Sequence, residues 1–168
     1  MTVYIDTETT GLNHSDEVVE IAIIDDHQTL LNTLVKPVRA TAWPEAQAIH
    51  GISPNDVKDA PAYDDIRSKI HELVAGHDVI IYNAGYDSMF LEDELKAAKS
   101  VQCCMLKYSR HYGEWDDYRD DYRWQKLTAA ARHIGYRWEG TAHRALADTM
   151  ATRAVWQYLE YQDGLTSG

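Results

Sequence analysis

Four acidic residues and one histidine are the side chains of this chain best suited to chemistry. They occur in three widely separated segments: Asp6 and Glu8 in IDTETTGL, Asp87 in YNAGYDSMFL, and His143 and Asp148 in HRALADT. If the fold gathers them, the carboxylates repel one another strongly unless cations neutralise their charge. Carboxylate clusters that hold two magnesium ions are a common arrangement for hydrolysing phosphodiesters. The three segments together therefore indicate a two-metal site.

The first segment has the pattern of a buried strand that ends in two acids. Val3, Tyr4 and Ile5 are β-branched or aromatic, which favours a strand. Because strand side chains alternate, Asp6 and Glu8 should point to one face and the threonine between them to the other. Two acids on one face can bind a single metal ion. Taken alone, the pair fits a solvated strand end equally well.

The last segment has a different geometry. Five residues of α-helix span a rotation of about 500°, so His143 and Asp148 would not share a helix face. His143 is therefore expected just before or at the start of the last helix, with Asp148 about one turn inside it. A histidine there, beside a metal-binding carboxylate, could activate water. Without the acids, His143 would be interpreted as one surface histidine among eight.

Together the segments resemble the three motifs of the DEDDh 3′→5′ exonucleases, the group of the polymerase proofreading subunit and exonuclease X. The resemblance runs from about Val3 to about Tyr158, with all five catalytic positions in order. A sister group with Y-x-x-x-D would need tyrosine where this chain has Arg144. The middle motif departs from the usual His-Asn-Ala-x-Phe-Asp, with Tyr82 and Tyr86 at its aromatic positions. These departures bear on substrate contacts and not on the metal site.

The resemblance implies a role for each residue of the set. Asp6, Glu8 and Asp148 would hold one Mg²⁺, Asp6 would bridge to a second, and Asp87 would support the second directly or through water. Mn²⁺ would substitute for Mg²⁺, and His143 would take the proton from water. The positions expected to bind substrate are Thr9, Gly11, Leu12, Asn13, His50 and Asn83. For three of them a structural role is the alternative: packing for Leu12, a core or capping role for His50, and a strand end for Asn83.

The implied activity is release of nucleoside 5′-monophosphates from nucleic-acid 3′ ends. The I-D-T-E-T-T-G-L form of the first motif favours DNA, single-stranded or frayed, over RNA. An RNA-trimming exoribonuclease is the first alternative. A non-catalytic module that docks on a polymerase or another nuclease is the second, although such a module would be expected to have lost an acid or the histidine.

Composition limits the remaining possibilities. The formal charge of −11 argues against a tight grip on long nucleic acid, but not against an enzyme that holds a few terminal nucleotides. Apolar residues make up 45% of the chain, and no run approaches the length of a membrane span. The adjacent Cys103 and Cys104 are expected to be reduced, since a bridge between neighbours is strained. We expect a cytoplasmic protein without a signal peptide, because the first residues already form the catalytic strand.

The pattern of elements predicts a single α/β domain over residues 1–162, with a mixed sheet flanked by helices and a flexible tail over 163–168. This order fits the ribonuclease-H-like architecture that the resemblance implies. Strands are predicted over residues 3–5, 17–25, 29–36, 79–82 and 101–105. Helices are predicted over residues 45–50, 63–75, 86–99, 124–134 and 144–161, with a further helical turn at 53–56.

One segment stands outside these elements. From Glu114 to Tyr122 the chain reads E-W-D-D-Y-R-D-D-Y, which is both acidic and aromatic. A solvated loop is the simplest interpretation. A lid or a surface for a protein partner is the functional alternative, and partner contact is favoured over nucleic-acid contact because the acids would repel a phosphate backbone.

Overall fold

A five-stranded mixed sheet forms the centre of the protein in the computed structural model, which describes residues 1–166. The strand order is β3-β2-β1-β4-β5. The strands are β1 (Thr2–Thr9), β2 (Val18–Ile24), β3 (Thr29–Leu34), β4 (Asp78–Ile81) and β5 (Ser100–Cys103). β2 runs antiparallel to both of its neighbours, β1 and β3, whereas β4 runs parallel to β1 and β5 runs parallel to β4. The predicted fold class, a mixed sheet that begins antiparallel and continues parallel, is confirmed.

Helices cover both faces of the sheet. They are α1 (Pro44–His50), α2 (Tyr63–Val74), α3 (Ala84–Asp87), α4 (Glu92–Leu95), α5 (Cys104–Tyr112), α6 (Leu127–His133) and α7 (Ala145–Thr166). Alternation along β1 sends Val3 and Ile5 into the apolar cluster on the α2 face, and Tyr4 into the cluster on the α7 face. Both clusters are buried, so β1 is fixed from both sides.

The end of β1 extends past its parallel neighbour. The pairing of β1 with β4 ends at Ile5 and Ile81, and residues 6–9 continue beyond it beside β2. The register of β1 against β2 shifts between Glu8 and Thr9. Residues 6–9 therefore stand at the carboxyl edge of the parallel strands, where the following connections leave room for a cleft.

The prediction of one helix over residues 86–99 is wrong. The structure has two short helices, α3 and α4, separated by Ser88–Leu91 without regular structure. The apolar pattern was nevertheless informative, because Leu91 and Leu95 are buried in the cluster on the α2 face. Within α4, the buried Glu94 is held by Arg67 of α2 at 2.6 Å, so a contact with another element orients this second helix.

The end of the last strand was also placed wrongly. β5 ends at Cys103, opposite Ile81 at the end of β4, and the backbone N–H of Met105 still bonds the carbonyl of Tyr82 at 2.8 Å. The unpredicted helix α5 begins there and ends at Gly113, whose φ of 79° suits glycine. Its buried positions include Met105 and Tyr108, one turn apart. Residues 54–59, where a helical turn was expected at 53–56, form turns instead.

The segment from Glu114 to Tyr122 is a small hairpin and not a loop. Its strands are β6 (Trp115–Asp116) and β7 (Asp121–Tyr122), and they form a separate two-stranded sheet. Trp115 and Tyr122 pack edge to face across it, with ring centroids 5.3 Å apart. At its tip, Tyr118 is 97% exposed.

The C-terminal helix is longer than predicted. α7 continues through Asp163, the first residue of the expected tail, to Thr166. Residues 167 and 168 of that expected tail lie outside the described residues. Within residues 1–166, none of the helices combines the length and the apolar character that crossing a bilayer requires.

Candidate active site

Three of the predicted metal ligands meet at the end of β1. Asp6 and Glu8 come from alternate positions of the strand, and Asp148 comes from the first turn of α7. One carboxylate oxygen of each lies within 4.8 Å of the others, and all three side chains are partly buried. Residues 142 positions apart in sequence are thus gathered because α7 packs against β1 and β2.

Asp87 is the fourth acid of the site. It is 4% exposed and ends the short helix α3. Its Oδ1 atom accepts hydrogen bonds from the Thr7 hydroxyl at 2.7 Å and the Thr7 backbone N–H at 3.2 Å. The Thr7 N–H is available because β4 has already ended at this level of the sheet. Asp87 lines a cleft of about 180 Å³ with Asp6, Glu8 and Asp148.

His143 lies at the mouth of the same cleft. It is exposed, precedes α7 by two residues, and has a left-handed φ of 63°, which is uncommon for a residue with a side chain. Its backbone N–H donates to Asp148 Oδ1 at 3.0 Å. His143 therefore lies just before the helix and Asp148 inside its first turn, as their spacing predicted. The bond ties the candidate base to a candidate metal ligand.

Sequence reasoning missed an important neighbour of this cluster. Glu20 on β2 lies opposite Glu8, is 4% exposed, and accepts two hydrogen bonds from Arg144, at 2.6 and 3.0 Å. It also accepts the backbone N–H of Ala145 at 2.9 Å, at the start of α7. The ion pair therefore fixes the segment that carries His143. An acid within the apolar run V-V-E-I-A-I-I was the available signal.

The electrostatics of the cluster favour a bound cation. Burial is the main cause of the raised pKa values in all four acids, and repulsion from neighbouring carboxylates, Glu20 among them, adds to it. The pKa of Glu8 rises to about 8, those of Asp87 and Asp148 rise to about 6, and that of Asp6 lies well above its usual range. A nearby cation would reverse these shifts. An all-oxygen set of hard ligands fits Mg²⁺ or Mn²⁺.

A second, larger cleft adjoins the first. It has a volume of about 590 Å³, and five of the six predicted substrate-binding residues line it: Thr9, Gly11, Leu12, Asn13 and His50. Leu12 is 78% exposed on one side, and Ile49 of α1 is 62% exposed on another. The sixth, Asn83, is exposed and lines the cleft of Asp87 instead. Two aliphatic side chains held in solvent beside an acidic cluster offer an apolar surface to a ligand.

The polar groups of Thr9 and His50 are used inside the protein. The Thr9 hydroxyl lies 2.8 Å from the Gly11 carbonyl oxygen. His50 Nδ1 accepts the Ile52 N–H at 3.0 Å, so Nε2 carries the hydrogen that the Thr9 carbonyl accepts at 3.1 Å. Burial lowers the pKa of His50, which agrees with this neutral state. His50 is therefore buried and bonded to the backbone, as the structural alternative expected, while its contact with substrate stays a prediction.

Comparison with known proteins decides the family. Residues 3–156 match the RNase T family model, described as an exonuclease family. The chain belongs to this exonuclease family. The match runs from the second residue of β1 past the first turn of α7, and it therefore includes all five residues predicted to be catalytic.

Individual members of the exonuclease family show how far the similarity extends. The chain is 39% identical over 166 residues to the uncharacterized exonuclease CP81 of Escherichia phage 186, covering 91% of this chain and 84% of that protein. It is 32% identical over 114 residues to the DNA polymerase III subunit epsilon of Rickettsia felis, covering 64% of this chain and 49% of the subunit. This exonuclease thus matches about half the length of that polymerase subunit.

Solved exonuclease structures share the fold. Exonuclease X in complex with 5′ overhanging duplex DNA superposes with a TM-score of 0.75 at 26% identity, covering 98% of this chain and 93% of that one. The zinc-bound E. coli exonuclease I complex with single-stranded DNA superposes with a TM-score of 0.77 at 19% identity, covering 96% and 40%. The first likeness spans nearly the whole of both chains.

Proposed function

We propose that this protein is a metal-dependent 3′→5′ exonuclease that releases nucleoside 5′-monophosphates and prefers DNA. One observation carries the proposal. Asp6, Glu8 and Asp148 place carboxylate oxygens within 4.8 Å of one another, and Asp148 also holds the backbone of His143. A bound cation would relieve the repulsion in a cluster of acids with raised pKa values, and a histidine beside it can accept a proton.

The residues present fit two divalent cations. Asp6, Glu8 and Asp148 would hold one Mg²⁺, and Asp6 with Asp87 would hold the second, with Mn²⁺ as a substitute. When bound, the ions would favour loss of a proton from the attacking water and offset the charge of the leaving 3′ oxygen.

The protein's own residues then perform three tasks. The imidazole of His143 accepts the proton of the attacking water, for which it must be neutral. Thr7 keeps the Asp87 carboxylate in place through two hydrogen bonds. Leu12 and Ile49 supply apolar contact for the terminal nucleotide in the larger cleft.

The preference for DNA rests on the relatives. Exonuclease X and exonuclease I were solved with DNA, and the subunit epsilon belongs to a DNA polymerase. The net charge of −11 favours an enzyme that engages a few nucleotides at an end over one that binds long duplexes. Single-stranded or frayed 3′ ends are therefore the proposed substrate.

Labelled oligonucleotides test the proposal. With Mg²⁺, 5′-labelled DNA should give a ladder of shortened products, whereas 3′-labelled DNA should give labelled mononucleotide at once. Matched RNA should be digested more slowly, and faster digestion of RNA would favour an exoribonuclease. Cleavage of circular single-stranded DNA would contradict an exonuclease, since a circle has no end.

We also propose that the hairpin from Glu114 to Tyr122 binds a protein partner with a basic surface. Its tip presents the exposed Tyr118 among aspartates, and Arg123 is already paired with Glu114 at 2.9 Å. The remaining negative charge suits a basic protein and repels phosphate. Tyr118→Ala should leave digestion of naked DNA unchanged, and a severalfold loss there would assign the hairpin to nucleic acid instead.

A further inference from the structure

The loop that carries Leu12, residues 10–16, is fixed from within by Asp16. The Asp16 carboxylate accepts the Thr10 hydroxyl at 3.1 Å, the Asn13 backbone N–H at 2.8 Å and the Asn13 side-chain amide at 3.2 Å. Gly11 leaves no space for a side chain, because a Cβ atom there would lie 2.7 Å from Asp16 Oδ2. The Leu12 loop is therefore one compact unit that holds its leucine outward.

A single tyrosine hydroxyl connects this unit to α3. The Tyr86 hydroxyl oxygen lies 2.7 Å from the Gly11 carbonyl oxygen and 2.5 Å from Thr9 Oγ1. Tyr86 donates to the Gly11 carbonyl, and the Thr9 hydroxyl donates to that carbonyl or to the Tyr86 oxygen.

Tyr86 immediately precedes Asp87 on α3. Two buried threonines at alternate positions of β1 bond these two neighbours, Thr7 to Asp87 and Thr9 to Tyr86. We propose that the Tyr86 hydroxyl is a positioning group for the 3′ end of the substrate, because it fixes the Leu12 loop to the helix that carries Asp87. This inference rests on the proposed function, in which Leu12 contacts the terminal nucleotide.

The substitution that tests this role is conservative. Tyr86→Phe keeps the ring and its edge-to-face contact with Phe90, whose centroid is 5.4 Å away, and removes only the hydroxyl. Phenylalanine is also the usual residue at this place in the family's middle motif. Tyr4→Phe is the matched control. It removes a hydroxyl that bonds Asp26 at 3.0 Å, and Tyr4 lies on β1 but in the cluster on the α7 face, away from the Leu12 loop.

Steady-state digestion of a single-stranded DNA oligonucleotide with Mg²⁺ provides the first measurement. Loss of one net hydrogen bond lowers the fraction of molecules in which the loop is correctly placed. Because only that fraction binds substrate well, Tyr86→Phe should raise KM roughly threefold to tenfold. Its kcat should stay within about twofold of wild type, and Tyr4→Phe should leave both constants unchanged. If the Tyr86 hydroxyl had only a structural role, Tyr86→Phe would lower the melting temperature, as Tyr4→Phe can, but it would not raise KM selectively.

Amide hydrogen exchange of the free protein provides the second measurement. Residues 10–16 should exchange faster in Tyr86→Phe, by a similar factor, and not in Tyr4→Phe. An active Tyr86→Phe with wild-type KM and unchanged loop exchange overturns the inference, as does a fall in kcat at constant KM, which would assign the hydroxyl to the metal cluster. If wild type and control both fail to digest DNA, the proposed function fails, and the exchange rates alone decide whether the hydroxyl fixes the loop.

Discussion

Replacing Asp148 by asparagine should stabilise the metal-free protein at alkaline pH, although it should abolish most activity. The pKa of Asp148 is raised from its ordinary value of 3.8 to about 6, mainly because the carboxyl group is buried and also because Glu20 lies nearby. The folded protein therefore holds this proton more tightly than the unfolded chain does. Stability from this group is fully present below the unfolded pKa and is lost as pH rises through the folded pKa.

The size of the effect follows from the shift. A difference of about two pKa units corresponds to about 3 kcal/mol, which we reduce to about 2–3 kcal/mol because the carboxylate is partly exposed. Asparagine keeps an oxygen for the His143 N–H and carries no charge. At pH 8 in EDTA, Asp148→Asn should melt roughly 4 to 12 °C above wild type, for a domain of this length. The advantage should shrink by about half at pH 5.

Thermal unfolding followed by circular dichroism, with and without Mg²⁺, measures the melting temperatures of Asp148→Asn and wild type. Mg²⁺ should raise the melting temperature of wild type by binding the folded state, and should raise that of Asp148→Asn much less. The difference between the two melting temperatures should therefore shrink or change sign when Mg²⁺ is added. If Asp148→Asn is less stable than wild type at pH 8 in EDTA, by as much as at pH 5, the carboxylates are not crowded and the electrostatic reasoning is wrong.

Three further predictions concern the chemistry and its support. Digestion should stop in EDTA and return with Mg²⁺ or Mn²⁺, whereas Ca²⁺ should bind with little turnover; full activity in excess chelator would exclude the metal mechanism. His143→Ala should lose roughly a hundred- to ten-thousandfold in turnover yet bind Mn²⁺ as wild type does by calorimetry, and turnover within a few-fold of wild type would remove His143 from the reaction. Arg144→Met should lower the free energy of unfolding by about 2 kcal/mol or more, because Glu20 then stays buried without its partner. Urea unfolding that matches wild type would show that the ion pair contributes nothing to stability.

The parts of the fold that the sequence predicted well are those whose local pattern and tertiary environment agree. β2 is an unbroken apolar run apart from Glu20 and is buried along its whole length. The position of His143 outside α7 followed from helical geometry alone, since five residues cannot bring two side chains to one helix face. Neither inference needed knowledge of a distant contact.

The errors have the opposite origin. The second half of the helix predicted over residues 86–99 is a separate helix, α4, whose buried Glu94 is held by Arg67, 27 positions earlier in the chain. α5 was missed because its inward face is built partly from tyrosine, which is also common in strands. The role of Glu20 depends on its pairing with Arg144, 124 positions later. Each of these features is set by a partner that local periodicity does not reveal.

The alternation along β1 has a consequence for how the gene tolerates mutation. Residues 6 and 8 face the acidic cleft, and residues 7 and 9 bond α3, so four consecutive codons alternate between two different requirements. A saturation scan should therefore show an unbroken intolerant block at Asp6–Thr9, half of it for loss of chemistry and half for loss of placement. A one-codon insertion there would exchange the two faces at once, and no single compensating substitution could restore them.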